Sequence, residues 1–83
     1  MTRDELSTRV RGCLGRIAPE VDVGALQSGA RLRDQVDLDS VDWLNFLVAV
    51  HADLGVDIPD VEAARLATLD QIVDYCGARL GTA

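Results

Sequence analysis

The stretch from Ser40 to Leu54 limits what this chain can fold into more than any other. Trp43, Phe46, Leu47, Val50 and Leu54 recur at steps of three and four, so a helix gathers them onto one face and makes that face a core surface. Gly55 follows at the position favoured for a left-handed cap, which ends the helix there. Val41, Leu44 and Val48 fall on a separate flank beside Asn45 and Ala52, leaving the helix apolar on two sides. Two explanations stand at this point. Either Leu44 and Val48 are covered by another segment, or Val41 and Val48 stay exposed and dock onto partner proteins. In both cases the helix needs neighbours, and 83 residues supply one small domain that buries only about 60–65% of its unfolded surface.

The neighbours are legible as further helices. Thr2 and Glu5 have the spacing of a capping box, and Leu6, Val10, Cys13, Leu14 and Ile17 form one stripe before Pro19 closes the segment. Residues 18–39 are a long connection with apolar anchors at Val21, Val23, Leu26, Leu32 and Val36, expected to cross the bundle with one short helical turn around Val23 to Gln27. After Gly55, Val56 to Asp60 reads as a turn, with Pro59 near the start of a short helix from Asp60 to Leu66. Thr68 and Gln71 repeat the capping-box spacing. Leu69, Ile72, Val73, Cys76 and Leu80 then give the last helix its stripe, and Gly81 ends it. Cys13 and Cys76 lie in stripes and read as small core residues. No alternating strand pattern occurs. The expectation is an all-α fold over a single domain, 1–83: a small four-helix bundle with three longer helices, a short third one, and a long loop between helices 1 and 2.

Charge and spacing exclude several functions. Residues 1–33 hold six Arg against four acids, net +2, while residues 34–83 hold ten acids against Arg65 and Arg79, net −8. A nucleic-acid binder needs a basic face, so none is expected as a partner. An EF-hand loop opening at Asp37 needs Gly where Asp42 stands and Glu where Val48 stands. Two separate Cys and one His make no structural zinc site, and His51, on the outer part of its helix, has no neighbouring nucleophile to activate. No Gly-rich phosphate loop is present, and the chain does not read as an enzyme. It lacks about 18 consecutive apolar residues, and its first five residues do not open a signal peptide. A cytoplasmic monomer without membrane insertion is expected.

Ser40 is the candidate site. It stands where a loop becomes a helix, with Asp37, Asp39 and Asp42 around it. The first helical turn leaves backbone N–H groups unpaired and carries about half a positive charge, so a phosphodiester on this hydroxyl meets donors without a dedicated basic side chain. The same residues also suit plain capping, by Asp39 or Ser40, with Asp42 as a dipole partner. The three carboxylates repel one another, so added salt, Mg²⁺ or Ca²⁺ should stabilise the fold as screening ions. The acidic half also implies that partners reaching Ser40 bring basic surfaces.

Asp39-Ser40-Val41-Asp42, opening a helix that runs out through Asp53-Leu54-Gly55-Val56-Asp57-Ile58-Pro59-Asp60, resembles the acyl carrier proteins. In that family the motif is Asp-Ser-Leu-Asp, and the same helix ends in Gly, an apolar residue, an acid, Ile-Pro and an acid. The resemblance spans roughly Leu6 to Leu80. It implies that Ser40 receives 4′-phosphopantetheine from coenzyme A through a phosphopantetheinyl transferase, and that the arm's thiol, not Cys13 or Cys76, carries acyl groups as thioesters between acyl-loading and acyl-processing enzymes. Asp37, Asp39, Val41, Asp42, Asn45, Val48 and Ala52 would form the partner-binding surface. Trp43, Phe46 and Leu47 would border the cargo pocket. Val41 replaces the usual Leu, and Asn45, His51 and Ala52 stand where fatty-acid-synthesis carriers typically have Glu, which favours a carrier dedicated to one lipid, polyketide or other secondary-metabolite pathway. Trp43 stands where a small residue is common; it either fills the core or narrows the cargo cavity. An aminoacyl or peptidyl carrier, of the D-alanine type for example, and an unmodified acidic helical interaction domain remain the alternatives.

Overall fold

The computed structural model describes residues 1–81; residues 82–83, the end of the expected 1–83 domain, lie outside the described residues. Five α-helices follow one another: α1 (Arg3–Ile17), α2 (Leu32–Gln35), α3 (Ser40–Leu54), α4 (Asp60–Ala63) and α5 (Leu69–Leu80), with one turn of 3-10 helix at Val23–Ala25. The three long helices and the short one after Pro59 are those expected. No strand occurs among the described residues, only one antiparallel bridge between Arg31 and Thr68.

The termini follow from local chemistry. Thr2 accepts from the Glu5 backbone N–H while the Glu5 side chain accepts from Thr2, and Thr68 and Gln71 do the same for α5. Gly55 and Gly81 end α3 and α5 with φ of 72° and 73°, a left-handed conformation that costs a residue with a Cβ about 1–2 kcal/mol. The helix after Pro59 is shorter than expected. Beyond Ala63 the bonds tighten, with Arg65 N–H donating to Glu62 O at 3.0 Å and Leu66 N–H to Ala63 O at 3.1 Å, so the chain turns toward Thr68 instead of continuing.

α1 packs against both α3 and α5. Leu6, Val10, Cys13 and Leu14 meet Phe46 and Val50 from α3 and Leu69, Ile72, Val73 and Cys76 from α5, while Leu32 and Val36 plug the core from the long connection. That connection is tied down along its length. The Arg11 guanidinium donates to the carbonyls of Val23 and Leu26, and Asp22 caps the 3-10 turn through the Gly24 N–H. The Gln35 side chain accepts from Gln27 N–H at 2.7 Å and donates back to Gln27 O at 2.9 Å. Leu32 N–H donates to Ala67 O at 2.8 Å and Asp70 N–H to Ser28 O at 3.0 Å, which staples the connection to the segment before α5. The single turn α2 was not expected, because four residues carry no periodic signal; the tertiary bonds of Leu32 and Gln35 hold it in place.

Ion pairs tie α1 to its neighbours from outside. Arg3 bonds Asp70 and Asp74 of α5, and Arg9 holds Asp53 of α3 at 3.0 Å. The Arg9 hydrogen bond keeps the Asp53 carboxyl below the usual carboxylate range. Cys13 and Cys76 are free and fully buried, as expected of stripe positions. Burial, and then the neighbouring Cys13, push the Cys76 thiol up to about 11, so it stays protonated and inert at neutral pH.

Candidate functional site

Ser40 is the first residue of α3 and is exposed. The cap belongs to Asp39: its Oδ1 accepts from the Asp42 backbone N–H at 2.8 Å, and its carbonyl accepts from Trp43 N–H at 2.9 Å. The Ser40 hydroxyl makes no hydrogen bond among the described residues, and the backbone N–H groups of Ser40 and Val41 are likewise unpaired. A free hydroxyl thus sits beside open donors at the positive end of a fifteen-residue helix. Local sequence could not decide whether Asp39 or Ser40 capped the helix. The geometry gives the cap to the acid and leaves the hydroxyl unengaged.

Beside Ser40 opens a cleft of about 440 Å³ between α3 and α4, walled by Trp43, Leu44, Leu47, Ala63 and Ala64, with Arg33 and Asp60 at its charged edges. A second cleft of about 230 Å³ continues along α3 past Leu44, Leu47, Val48 and His51, with the Asp57–Asp60 segment opposite. A third, of about 160 Å³, lies on the other side of Trp43, against Arg31, Arg33 and the 63–67 segment. Trp43 is half-buried rather than fully inward. Its ring lies against Phe46, centroids 5.5 Å apart at an interplanar angle of 41°, and the Arg33 guanidinium sits 5.2 Å from the ring centroid. Of the three residues expected at a cargo pocket, Trp43 and Leu47 line clefts; Phe46 is completely buried beneath them and reaches none of the three.

The outer side of α3 is apolar and open. Val41 is 64% exposed, Leu44 53% and Val48 58%. No neighbouring segment among the described residues covers Leu44 or Val48, which removes the first of the two explanations the sequence allowed. Asn45, His51 and Ala52 share this exposed side; Asp37 and Asp39 stand at its start, and Asp42 is half-buried on the flank. Val61 of α4 is also an exposed apolar side chain, at 69%, and nothing in its local pattern announced it. The acids around Ser40 do not converge: among the described residues no three His, Cys, Asp or Glu side chains are grouped closely enough to hold a metal ion.

The family model for the phosphopantetheine attachment site matches residues 8–76, from the first half of α1 into α5. The chain belongs to this family. It is 25% identical over 81 residues to the acyl carrier protein of Lactobacillus acidophilus, a match covering 98% of this chain and 100% of the relative. The acyl carrier proteins of Rickettsia canadensis and Rickettsia rickettsii are each 28% identical over 58 residues, 70% of this chain and 67% of theirs.

Membership of the phosphopantetheine-attachment family, with likeness to acyl carrier proteins, makes this protein a carrier and not an enzyme, and its prosthetic group is covalent 4′-phosphopantetheine. Its working partners are a phosphopantetheinyl transferase and enzymes that handle acyl groups. The carrier's own residues fit that group. A phosphodiester needs a free hydroxyl and unpaired donors, both present at Ser40, and an arm lying back on the protein finds the open cleft beside it. Among the described residues no helix is long and apolar enough to cross a membrane. Arg33, Asp60, Ala63 and Ala64, which complete the cleft, were missed by sequence reasoning because nothing in their local pattern marks them as facing Ser40.

Proposed function

We propose that Ser40 bears the 4′-phosphopantetheine arm and that this carrier, a single domain over 1–83, serves a dedicated lipid, polyketide or other secondary-metabolite pathway. The observation that carries the assignment is the free Ser40 hydroxyl at the mouth of the cleft, with the helix cap supplied by Asp39. In attachment, the Ser40 oxygen forms the new phosphodiester bond, its proton is released, and the nucleotide half of coenzyme A leaves. The bound group supplies a terminal thiol that holds acyl cargo as a thioester, and tethering keeps that cargo at high effective concentration for successive enzymes.

Docking falls to the exposed side of α3. Asp37, Asp39 and Asp42 face basic surfaces on partners, and Val41 and Val48 supply apolar contact, with Asn45 and Ala52 between them. The scarcity of charge in the second half of that side supports a narrow set of partners rather than general fatty acid synthase enzymes. Trp43, half-buried between two clefts, supports short cargo over long chains. We place the protein in the cytoplasm as a monomer.

Intact mass after incubation with coenzyme A and a broad-specificity phosphopantetheinyl transferase tests the assignment, run beside Ser40→Ala. One phosphopantetheine gained by the parent and none by the variant is the expected result. No gain by a parent whose fold is intact by circular dichroism would overturn it and leave an unmodified interaction domain.

A further inference from the structure

We propose that the pocket behind Trp43 receives the end of a short acyl chain terminating in a carboxylate, with Arg31 and Arg33 as the residues that recognise it. This rests on attachment of the arm at Ser40 and names the class of cargo that the arm would carry.

The pocket is small and positive in a part of the molecule that is otherwise acidic. Residues 34–83 carry a net charge of −8, yet the lining of this pocket contains no acid. Its only charged groups are Arg31 and Arg33; the remainder is the indole of Trp43 and the apolar side chains of Ala63, Ala64, Leu66 and Ala67. Neither arginine forms an ion pair among the described residues, in contrast to Arg3 and Arg9, which do. Arg33 rests on the Trp43 ring, a cation–π contact that parks the guanidinium without neutralising it. Two exposed guanidiniums with unfilled donors suit a carboxylate, whose two oxygens match the fork geometry.

The pocket is connected to the arm's site. It shares Arg33, Trp43, Ala63 and Ala64 with the larger cleft that opens at Ser40, so a chain lying in that cleft passes directly along the indole into it. Its walls are fixed by backbone bonds, because Leu32 N–H to Ala67 O at 2.8 Å and the Arg31–Thr68 bridge join its two sides. The only acid on the route is Asp60, which borders the larger cleft and not the pocket. Size sets the cargo length. A volume of about 160 Å³ is close to that of a cavity which takes benzene, so the pocket accommodates about six non-hydrogen atoms. The part of a succinyl or glutaryl chain beyond its thioester carbonyl, about five or six non-hydrogen atoms, fits this volume, and a long fatty acyl chain does not.

The experiment uses Trp43 as its own reporter, since it is the only tryptophan in the chain. The full protein is charged with succinyl- or butyryl-phosphopantetheine from the corresponding coenzyme A thioesters, chains of equal carbon number, and each product is verified by intact mass. Trp43 emission and the Arg31 and Arg33 Nε–Hε resonances are then compared with those of the unacylated holo form. Succinyl should move all three signals, butyryl should leave them at their holo positions, and the succinyl-specific change should collapse in 1 M salt, where the Debye length falls to about 3 Å. In an Arg31→Gln/Arg33→Gln variant charged to the same mass, the succinyl and butyryl spectra should coincide. Identical responses to succinyl and butyryl in the parent would overturn the proposal while leaving Ser40 as the attachment site. So would a shift already complete in the holo form, which would assign the arginines to the arm's phosphate. No mass gain at all would overturn the attachment and this inference together.

Discussion

α1 and α3 are both fifteen residues long, and each contributes four buried side chains, yet they treat solvent in opposite ways. The exposed positions within α1 carry charges and small polar groups, and two of its arginines are tied to acids on α5 and α3. On α3 the exposed positions after Ser40 carry Val41, Leu44, Asn45, Val48, His51 and Ala52, with no carboxylate or guanidinium among them. The inner faces are interchangeable in kind and the outer faces are not. Folding accounts for the inner face of each helix. It does not account for an apolar exterior on only one of two equal helices, the one that begins at Ser40, and that asymmetry supports the proposed docking surface.

The shared inner face gives the largest expected effect. Phe46 is 0% exposed and is the largest of the fully buried side chains, so Phe46→Ala should cost about 3–5 kcal/mol. Leu14→Ala, from the facing side of α1, should cost about 2–5 kcal/mol, since Leu14 is also 0% exposed. Total stability for a domain of this size is about 4–12 kcal/mol, so urea unfolding should show either variant without a large share of its stability. A loss below about 1 kcal/mol for Phe46→Ala would break the premise that both helices share one tightly packed core.

A smaller effect comes from the end of α3. At Gly55, φ is 72° and an added Cβ would meet nothing within 4 Å, so Gly55→Ala should cost about 1–2 kcal/mol from backbone strain alone. A thermal melt unchanged by this substitution would mean that the turn into Val56 relaxes to another conformation. Next is the tie between the two helices. Because Arg9 depresses the Asp53 carboxyl in the folded state, its contribution is complete above the ordinary carboxylate value of 3.8 and is lost as pH falls through the lower folded value. Urea midpoints taken across that acid window should fall more steeply for the parent than for Arg9→Gln. Parallel curves would show that the pair adds no pH-dependent stability.

The contrast between the helices also explains how much the sequence disclosed. The α3 boundaries were legible because Asp39 and Gly55 carry short-range capping chemistry, and the same holds for Thr2 with Glu5 and Thr68 with Gln71. Periodicity located the buried stripes, including both cysteines, but overran at Leu80, which is exposed at the end of α5. It could not say whether Leu44 and Val48 were covered, since the answer depends on where the long connection runs. That path is set by bonds between distant residues, Gln35 with Gln27 and Leu32 with Ala67, and these also make α2 and place Arg33 on Trp43. Ser40 itself is singled out by its motif. The cleft next to it is not, because its far wall comes from residues 60–64, which show no local sign of facing the serine.

The smallest expected effect on stability falls on the outer face, and there the comparison is sharpest. Val48 is 58% exposed, and alanine is the better helix former, so Val48→Ala should leave the unfolding midpoint unchanged or raise it slightly. If that face docks, removing two methyl groups forfeits about 1.5 kcal/mol of contact, roughly a tenfold loss in kcat/KM for phosphopantetheinyl transfer. Thr8→Ala makes a comparable truncation on the exposed side of α1, and it should leave the transfer rate unaltered. Stability and transfer rate would then move independently, which packing alone does not produce. Equal transfer rates for Val48→Ala, Thr8→Ala and the parent would instead show that the exposed apolar side of α3 takes no part in engaging the transferase.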